Sequence, residues 1–515
     1  MLATLTKYLR SQTANYIMVT LILVVFISLA VPVKAQEKAQ ELAQEKVQPN
    51  IVLFMAEDIG IDLPSYGTKG LQTPNLDKLA KNGIQFNRFY TNSPICSTSR
   101  TSLMTGMYQT SIGGHHHRDK TNVLPEHIKP VTHYLREAGY TVLLGNDLVY
   151  AKGRKLDLNF KTDKKNPVFD KKKKIDASKP FFMQVQLKMT HRAPDDTWQQ
   201  VRKASKHPVS TSDIEVPPYL PDHPDVRLDI ATYYDTLEYI DNEISLVQQQ
   251  LQAQGVLENT IIIFMGDNGR CQVRGKSYLF EDGIHVPLIV AGPGISANQI
   301  NNDMTDGIDL TASILHLAGA QVPEHMQGQP LLNNPNYQAK DAIFAARDRH
   351  DEVVDNSRTV VEKRYKYIAN FMPQVPWDAR MAYYDLPTVR PILPLLRELH
   401  TQGKLNADQA YFFSETKPRE QLYDLENDPW ELNNLADSTA HQKIKARLVN
   451  KLNQWIESSN DQGLSKDANG DWQPVAKAFD LCSIKAAAQR NKKLCAGKTF
   501  QISKKNKNKK KANKV

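Results

Sequence analysis

A cysteine and an arginine four residues apart have the types and the spacing that chemistry on an anion requires. Cys96 closely follows Pro94, and the residues after it predict a loop that turns into a short helix, with Ser97 or Ser99 as its cap. The free N–H groups and the positive dipole at a helix N-terminus attract an anion. Arg100 lies one helical turn from Cys96, on the same face. The stretch therefore predicts that a cysteine, an anion-binding helix end and a cation converge.

Two pairs of oxygen-bearing side chains closely follow apolar runs of the chain. Glu57 and Asp58 form the first pair, and Asp267 and Asn268 form the second. In open α/β sheets, functional groups gather beyond the carboxyl ends of the strands. Carboxylate and amide oxygens suit a hard cation such as calcium, with magnesium also possible, whereas zinc would require more histidine or thiolate. These four residues are the predicted metal ligands, and Cys96 is the fifth member of the predicted metal site.

Short, continuously apolar runs predict strands that are buried on both faces. They are Ile51–Met55, Thr141–Leu144, Phe181–Leu187, Thr260–Met265 and Val286–Ala291. Helical patterns alternate with them, including one that opens at Thr73-Pro74 and one with apolar positions from Ile230 to Leu251 that ends before Gly255. This alternation predicts an α/β core with a mostly parallel sheet between helices.

The pattern changes near Asp341, where short strand-like runs begin. Ile343–Ala346 and Arg358–Ile368 are two of them, and they indicate a smaller α+β domain with an antiparallel sheet. We therefore predict a catalytic domain over residues 49–340 and a C-terminal domain over residues 341–470. A chain of this length exceeds the usual size of a single core, which also favours two domains.

Both ends of the chain are expected to lie outside these domains. Lys7 and Arg10 precede an apolar run, and a small-residue site before Gln36 predicts a signal peptide over residues 1–35 and export to the periplasm or the medium. A single membrane anchor is the alternative; no stable membrane span is expected. A polar linker covers residues 36–48. Cys482 and Cys495 are close enough in sequence to form a disulfide after export.

The formal charge of +9 is concentrated at the two ends. The leader contributes three positive charges and the stretch after Ala488 contributes eleven, which leaves −5 for the rest of the chain. Residues 471–515 are expected to be a disordered basic tail, because this stretch lacks apolar periodicity. Binding of an anionic polysaccharide, a membrane or nucleic acid is the alternative. We expect no nucleic-acid partner.

The stretch that begins at Cys96 resembles the signature of the type I sulfatases, Cys-x-Pro-Ser-Arg followed by Leu-x-Thr-Gly. Thr98 stands where that family usually has proline or alanine. The resemblance implies an alkaline-phosphatase-like core and a cysteine that a maturation enzyme oxidises to formylglycine, whose hydrate attacks sulfur. It extends over roughly Pro49 to Trp455.

Further segments are similar to the functional segments of the same family. Ala56-Glu57-Asp58 and Gly266–Gly269 match its metal-binding segments, although Glu57 replaces the usual aspartate. Residues 153–160 resemble a Lys-x-Asp-x-Asn-Phe variant, and residues 274–276 resemble the sulfate-binding lysine segment. The resemblance implies the catalytic set Cys96, Arg100, Lys155, His191 and Lys276, with His191 protonating the leaving oxygen.

Within the family, the chain is most similar to heparan N-sulfatases and bacterial polysaccharide sulfatases. This implies a sulfated oligo- or polysaccharide substrate, carrying either O- or N-sulfate. Charged clusters near the site are the candidate substrate-binding residues: His115, His116, His117, Arg347, Asp348 and His350. A transition-metal site at the three histidines is the alternative, which is weaker because adjacent loop residues rarely converge on one ion.

Two other functions remain open at this stage. A phosphodiesterase or phosphonate hydrolase could share the fold and the metal ligands. A non-catalytic protein that binds sulfated glycans is the other alternative, and it applies if Cys96 is not matured.

Overall fold

The computed structural model describes residues 48–145, 155–163, 165–170, 175–193 and 196–475. The signal peptide, most of the linker, the Cys482–Cys495 pair and the tail beyond residue 475 lie outside this part of the chain and stay predictions. The predicted start of the tail at residue 471 is wrong, because Trp472–Pro474 form a strand that pairs with Leu464–Lys466. The described strands are β1 (Asn50–Ala56), β2 (Gly83–Phe86), β3 (Phe89–Tyr90), β4 (Thr141–Leu144), β5 (Phe181–Leu187), β6 (Thr260–Gly266), β7 (Leu288–Ala291), β8 (Gln299–Asn301), β9 (Thr305–Asp306), β10 (Ile343–Arg347), β11 (Ser357–Val361), β12 (Tyr365–Asn370), β13 (Glu420–Asp424), β14 (Leu464–Lys466) and β15 (Trp472–Pro474). The described α-helices are α1 (Pro74–Lys81), α2 (Cys96–Thr105), α3 (Val131–Glu137), α4 (Thr197–Ala204), α5 (Pro224–Ala253), α6 (Glu281–Ile284), α7 (Gly307–Leu317), α8 (Leu393–Thr401), α9 (Ala407–Ala410) and α10 (Gln442–Ser458).

A seven-stranded sheet in the order β4-β5-β1-β6-β7-β2-β8 forms the larger half of the fold. Strands β4, β5, β1 and β6 run parallel, as the alternating pattern predicts. Strand β7 is antiparallel to both β6 and β2, which the sequence pattern did not indicate. At the central register, Ala56 lies beside Leu187 on one side and Gly266 on the other, so β1, β5 and β6 end at one edge.

Alternate residues of the strands point to opposite faces of this sheet, so both faces carry apolar side chains that must be buried. Helices cover both faces. Val52 and Phe54 of β1 belong to one core, which the long helix α5 covers. Leu53 and Met55 belong to the other core, which α2 and α7 cover. The α/β class with a mostly parallel sheet between helices is therefore confirmed.

An antiparallel sheet in the order β10-β11-β12-β13 forms the C-terminal part, as predicted, and α10 packs against it. The run Arg358–Ile368 is two strands rather than one, because the chain turns at residues 362–364 between β11 and β12. Ile343 of β10 belongs to the same core as the α5 face of the main sheet. The domain boundary at residue 341 stays a prediction.

The helix that begins at Cys96 is present, but its predicted cap is wrong. Ile95 is the N-cap residue and makes no side-chain cap. The Ser97 hydroxyl instead accepts a hydrogen bond from the backbone N–H of Arg118, at 3.0 Å. Thr98 donates its hydroxyl to the carbonyl of Ile95 at 2.7 Å, so the helix start is held by contacts within its first turn. No helix in the described ranges is both long enough and apolar enough to span a bilayer.

A buried acid pair at the start of α7 leads to a first prediction. Asp309 and Asp306 share Lys340, at 2.8 and 3.2 Å, and burial with the neighbouring Asp306 raises the pKa of Asp309 to about 7. The unfolded chain releases this proton near pH 4, so ionisation destabilises the folded state progressively between pH 4 and 7. Asp309→Asn should therefore gain about 1–3 kcal/mol relative to the wild type as pH rises from 4 to 8, measured by urea unfolding. Asp303→Asn, at a half-buried position, is the control. The prediction would be contradicted if the free energy of unfolding of Asp309→Asn differed from that of the wild type by the same amount at every pH.

Candidate active site

The candidate residues meet at the carboxyl edge of the central strands. Glu57 and Asp58 follow β1, His191 follows β5 and Asp267 follows β6. The backbone N–H of Asp58 donates to Asp267 Oδ1 at 3.0 Å, which ties two of these loops together. Parallel strands place their carboxyl ends at one edge, so residues more than 200 positions apart become neighbours.

Helix α2 brings Cys96 and Arg100 to this edge. Cys96 Sγ lies 3.7 Å from Asp58 Oδ1, and the thiol is almost completely buried. Burial raises the pKa of this thiol to about 12, so the side chain carries no charge at neutral pH. Arg100 Nε donates to Asp267 Oδ2 at 2.9 Å, and its Nη2 lies 3.5 Å from Glu57 Oε2. One helical turn thus carries both the thiol and the cation, as its spacing predicts.

Each acidic group of the cluster has a basic partner. Lys276 Nζ contacts the two oxygens of Asp58 at 2.7 and 2.9 Å, and His191 Nδ1 lies 2.8 Å from Asp58 Oδ2. Lys155 Nζ donates to Glu57 Oε2. Although burial opposes ionisation, Lys276 and His191 hold the pKa of Asp58 well below its usual range, and Lys155 with Arg100 lowers that of Glu57 to about 2. Both carboxyl groups are therefore ionised at neutral pH.

The donor chemistry of the cluster fits a hard divalent cation. Glu57, Asp58, Asp267 and Asn268 offer only oxygen atoms and are fully or almost fully buried. Within the described residues, Glu57 Oε1 and Asn268 Oδ1 are buried acceptors without a hydrogen-bond donor. A buried acceptor that lacks a donor costs free energy, which a bound cation would offset.

The three consecutive histidines divide between two clusters instead of converging on one point. Their partners come from the end of β10 and the loop after it, giving His115 with His116 and Asp348, and His117 with His350 and Asp351. His117 Nδ1 lies 3.1 Å from Asp351 Oδ1, and the His117 and His350 rings meet edge to face at 4.5 Å. Burial lowers the pKa of His117 to about 4. It also holds the pKa of His350 well below its usual range, so both rings are neutral at pH 7.

Arg347 is placed differently from the other candidate substrate-binding residues. Its guanidinium is buried, pairs with Asp355 at 3.1 Å and lies 4.9 Å from the centre of the Tyr278 ring. The structure thus brings His115–His117, Asp348 and His350 together and turns Arg347 towards the interior. Gly153 and Arg154 lie outside the described residues, and Lys155 is the first described residue after that gap.

Two residues that no sequence motif indicated, Arg390 and Tyr384, bind the backbone of the loop that carries Lys276; we call this pair the clamp. Arg390 donates to the carbonyls of Cys271, Gln272 and Lys276 at 3.2–3.4 Å, and its guanidinium lies 3.4 Å from the centre of the Tyr384 ring. In the described part of the chain, no carboxylate lies within ion-pair distance of this buried arginine. The Tyr384 hydroxyl donates to the same Lys276 carbonyl at 3.1 Å. These residues lie more than 100 positions after the loop, so only the fold brings them to it.

Tyr383 closes the same wall of the site beside His191. The two rings are nearly parallel, with their centres 6.3 Å apart, and the Tyr383 hydroxyl donates to the carbonyl of Arg192 at 2.6 Å. The aromatic pair Tyr383-Tyr384 within residues 377–390 was the available sequence signal, but nothing in that stretch shows which loop it contacts.

Comparisons with known proteins identify the family of the chain. The sulfatase family model matches residues 49–320, and the model for the C-terminal region of N-sulphoglucosamine sulphohydrolase matches residues 269–388. An ulvan-active sulfatase of Formosa agariphila is 30% identical over 463 residues, covering 80% of this chain and 76% of that protein. Human N-sulphoglucosamine sulphohydrolase is 26% identical over 467 residues, covering 80% and 90%.

The solved structures support the fold. A phosphonate monoester hydrolase of Agrobacterium radiobacter superposes with a TM-score of 0.56 at 18% identity, covering 84% of this chain and 100% of that one. This likeness concerns the fold alone, whereas the family matches extend through the residues of the cluster. The chain belongs to the sulfatase family of sulfuric ester hydrolases.

Proposed function

We propose that this protein removes sulfate groups from a sulfated oligo- or polysaccharide, with Cys96 as the precursor of its nucleophile. The proposal is based on one observation: Cys96, four side chains whose oxygens can bind a metal, and four basic side chains lie together at one edge of the sheet. The basic side chains would attract an anionic sulfate group and donate hydrogen bonds to its oxygens. Such donors lower the barrier when negative charge develops on the sulfate oxygens.

Cys96 is proposed to be oxidised to formylglycine by a maturation enzyme. The hydrate of that side chain would supply a hydroxyl that attacks sulfur and a second hydroxyl that releases the sulfate. Arg100 and the start of α2 hold position 96 against the acidic cluster and keep it away from bulk water. Thr98, which replaces the usual proline or alanine, fits within this turn through its bond to Ile95.

Glu57, Asp58, Asp267 and Asn268 are proposed to hold calcium, or magnesium, beside position 96. The cation would offset the charge of a sulfate oxygen and polarise the nucleophile. Lys155 and Lys276 would bind the remaining sulfate oxygens. His191 Nδ1 donates to the carboxylate of Asp58, so Nε2 would protonate the leaving oxygen or nitrogen from the doubly protonated ring.

A sulfated carbohydrate is the proposed substrate because of the relatives and the walls of the site. The relatives named above are an ulvan-active sulfatase and an N-sulphoglucosamine sulphohydrolase. The clusters of His115–His117 with Asp348 and His350 would bind sugar hydroxyl or acidic groups next to the sulfate. We also propose export through the N-terminal signal, which would bring the protein to a polysaccharide outside the cell.

Two measurements on the protein from its native host test the proposal. The first is the mass of the Cys96 peptide, which should show loss of the thiol sulfur and formation of an aldehyde. The second compares sulfate release from sulfated oligosaccharides with hydrolysis of a bis-aryl phosphate. Faster phosphate chemistry would favour a phosphodiesterase, and an unmodified thiol with retained glycan binding would favour a non-catalytic binder.

The clamp on the Lys276 loop leads to a prediction for turnover. Arg390→Lys keeps the charge, but one ammonium group cannot reproduce the planar fork that bridges three carbonyls. We expect kcat for sulfate release to fall about 10- to 100-fold with a smaller change in KM, because the loop that carries Lys276 loses its support. Arg397→Lys is the matched control, since Arg397 binds Asp378 and Asp385 in the same segment. An equal loss in both variants, or none in Arg390→Lys, would contradict the positioning role.

A further inference from the structure

A cavity of about 740 Å³ lies between the main sheet and the turn end of the antiparallel sheet, apart from the cluster around Cys96. Its walls include Gly60 and Asp62 after β1, Arg88 after β2, and residues 363–364 between β11 and β12. Arg347, at the other end of β10, is paired with Ser357 at the start of β11. The length of β11 therefore separates residues 363–364 of the cavity wall from the histidine clusters by roughly 15 Å.

The inner wall of the cavity is a built polar surface. Arg270, of which only 5% is exposed, binds Asp62 at 2.9 Å and Asp282 at 2.7 Å. Its Nε is a buried donor that has no acceptor among the described residues. Trp430, half-buried and edge-on to Tyr219 at 5.9 Å, supplies an apolar surface beside these groups. Donors and acceptors next to an aromatic face suit a sugar ring, which has hydroxyl groups at its edge and C–H groups on its faces.

The rim of the cavity carries unneutralised positive charge. Arg88 donates through Nη1 to the backbone carbonyl of Lys363, and both residues line the cavity. Across the described ranges, neither of them has a carboxylate within ion-pair distance, whereas Arg364 beside them is paired with Asp424. Two cations without counter-ions in the lining of one cavity raise the local potential and favour an anion.

We propose that this cavity binds an acidic, sulfated segment of the polysaccharide substrate at a distance from the segment that is being hydrolysed. The inference rests on the proposed function, because it assigns the ligand from the same substrate class. A repeating polymer can place one segment in the cavity and another at Cys96, which raises the effective concentration of the second at the active site. A short saccharide cannot reach both sites, so the benefit should depend on chain length.

The test compares sulfated oligosaccharides of two and of ten or more sugar units, prepared from ulvan and from heparan sulfate. For the wild type, KM should be lower for the long chains. The double variant Arg88→Glu/Lys363→Glu should raise KM for the long chains by about 5- to 20-fold, with kcat and the disaccharide kinetics unchanged. Lys404→Glu/Lys443→Glu, which makes the same charge change at exposed lysines elsewhere, is the matched control.

Direct binding separates a failure of this inference from a failure of the proposed function. In the inactive Cys96→Ala background, calorimetry with the long sulfated chains should show weaker binding in the Arg88/Lys363 variant than in its parent, and chemically desulfated chains should bind poorly to both. Normal sulfate release with no effect of the double variant on KM or on binding would overturn the cavity site alone. Absent sulfate release with binding that still depends on Arg88 and Lys363 would overturn the hydrolytic function and support the cavity site. An equal loss in the lysine control would also overturn the cavity site.

Discussion

Replacing Cys96 with alanine is expected to lower sulfate release by about four orders of magnitude or more, because the proposed nucleophile is formed from this side chain. The substitution removes one small buried side chain and leaves the Asp58–Lys276 and Asp267–Arg100 contacts in place. Binding of a sulfated oligosaccharide should therefore persist. Ion chromatography of released sulfate and calorimetry of binding measure the two effects separately.

Cys271→Ala is the matched control for this substitution. Cys271 is also a buried free cysteine, and its carbonyl accepts a hydrogen bond from Arg390 within the Lys276 loop. Its loss should leave turnover within a few-fold of the wild type, since the backbone bond remains. If Cys96→Ala kept most of its activity, the nucleophile would have to be another group and the proposed mechanism would be wrong.

Replacing Asp58 with asparagine is expected to lower calcium affinity by more than about 100-fold and to abolish turnover at ordinary calcium concentrations. Asp58 contacts Lys276, His191 and Asn268, so it connects the proposed metal ligands with the proposed sulfate donors. Its loss also leaves the buried Lys276 without a counter-ion, which typically costs about 3–5 kcal/mol. Calcium titration by calorimetry and thermal unfolding with and without a chelator measure these effects.

Asp62→Asn separates a metal effect from a general loss of stability. Asp62 lies four residues further along the same loop and pairs with Arg270. It is not one of the proposed metal ligands beside position 96. We expect this variant to be less stable than the wild type but to bind calcium with unchanged affinity. Equal loss of calcium affinity in the two variants would mean that Asp58 acts through folding and not as a ligand.

The elements of the main sheet were predictable from the sequence because buried parallel strands are continuously apolar. Thr141–Leu144 and Phe181–Leu187 match the observed strands residue for residue. The direction of β7 was not predictable, since an apolar run does not reveal which way a strand runs. The turn at residues 362–364 was also missed, because these charged residues lie in a run that is otherwise typical of one long strand.

The acidic and basic residues of the site were predictable as a set, because each follows a strand or stands in a motif. Their pairing was not predictable, since the contact of Lys276 with Asp58 depends on how the loop after β6 folds back. Arg390 and Tyr384 had no signal of their own: their function depends on backbone carbonyls, which every residue has. The division of the three histidines between two clusters likewise depends on Asp348 and Asp351, which a different segment supplies.

The reversed direction of β7 also affects how the enzyme can diversify. Strand β6 ends at the carboxyl edge of the sheet and β7 begins there, so the whole excursion between Asp267 and Pro287 leaves and re-enters on the catalytic side without crossing the sheet. This excursion needs no crossover helix and no change of strand order. Variation around Lys276 is nevertheless restricted to side chains, because the segment is buried and Arg390 binds three of its carbonyls.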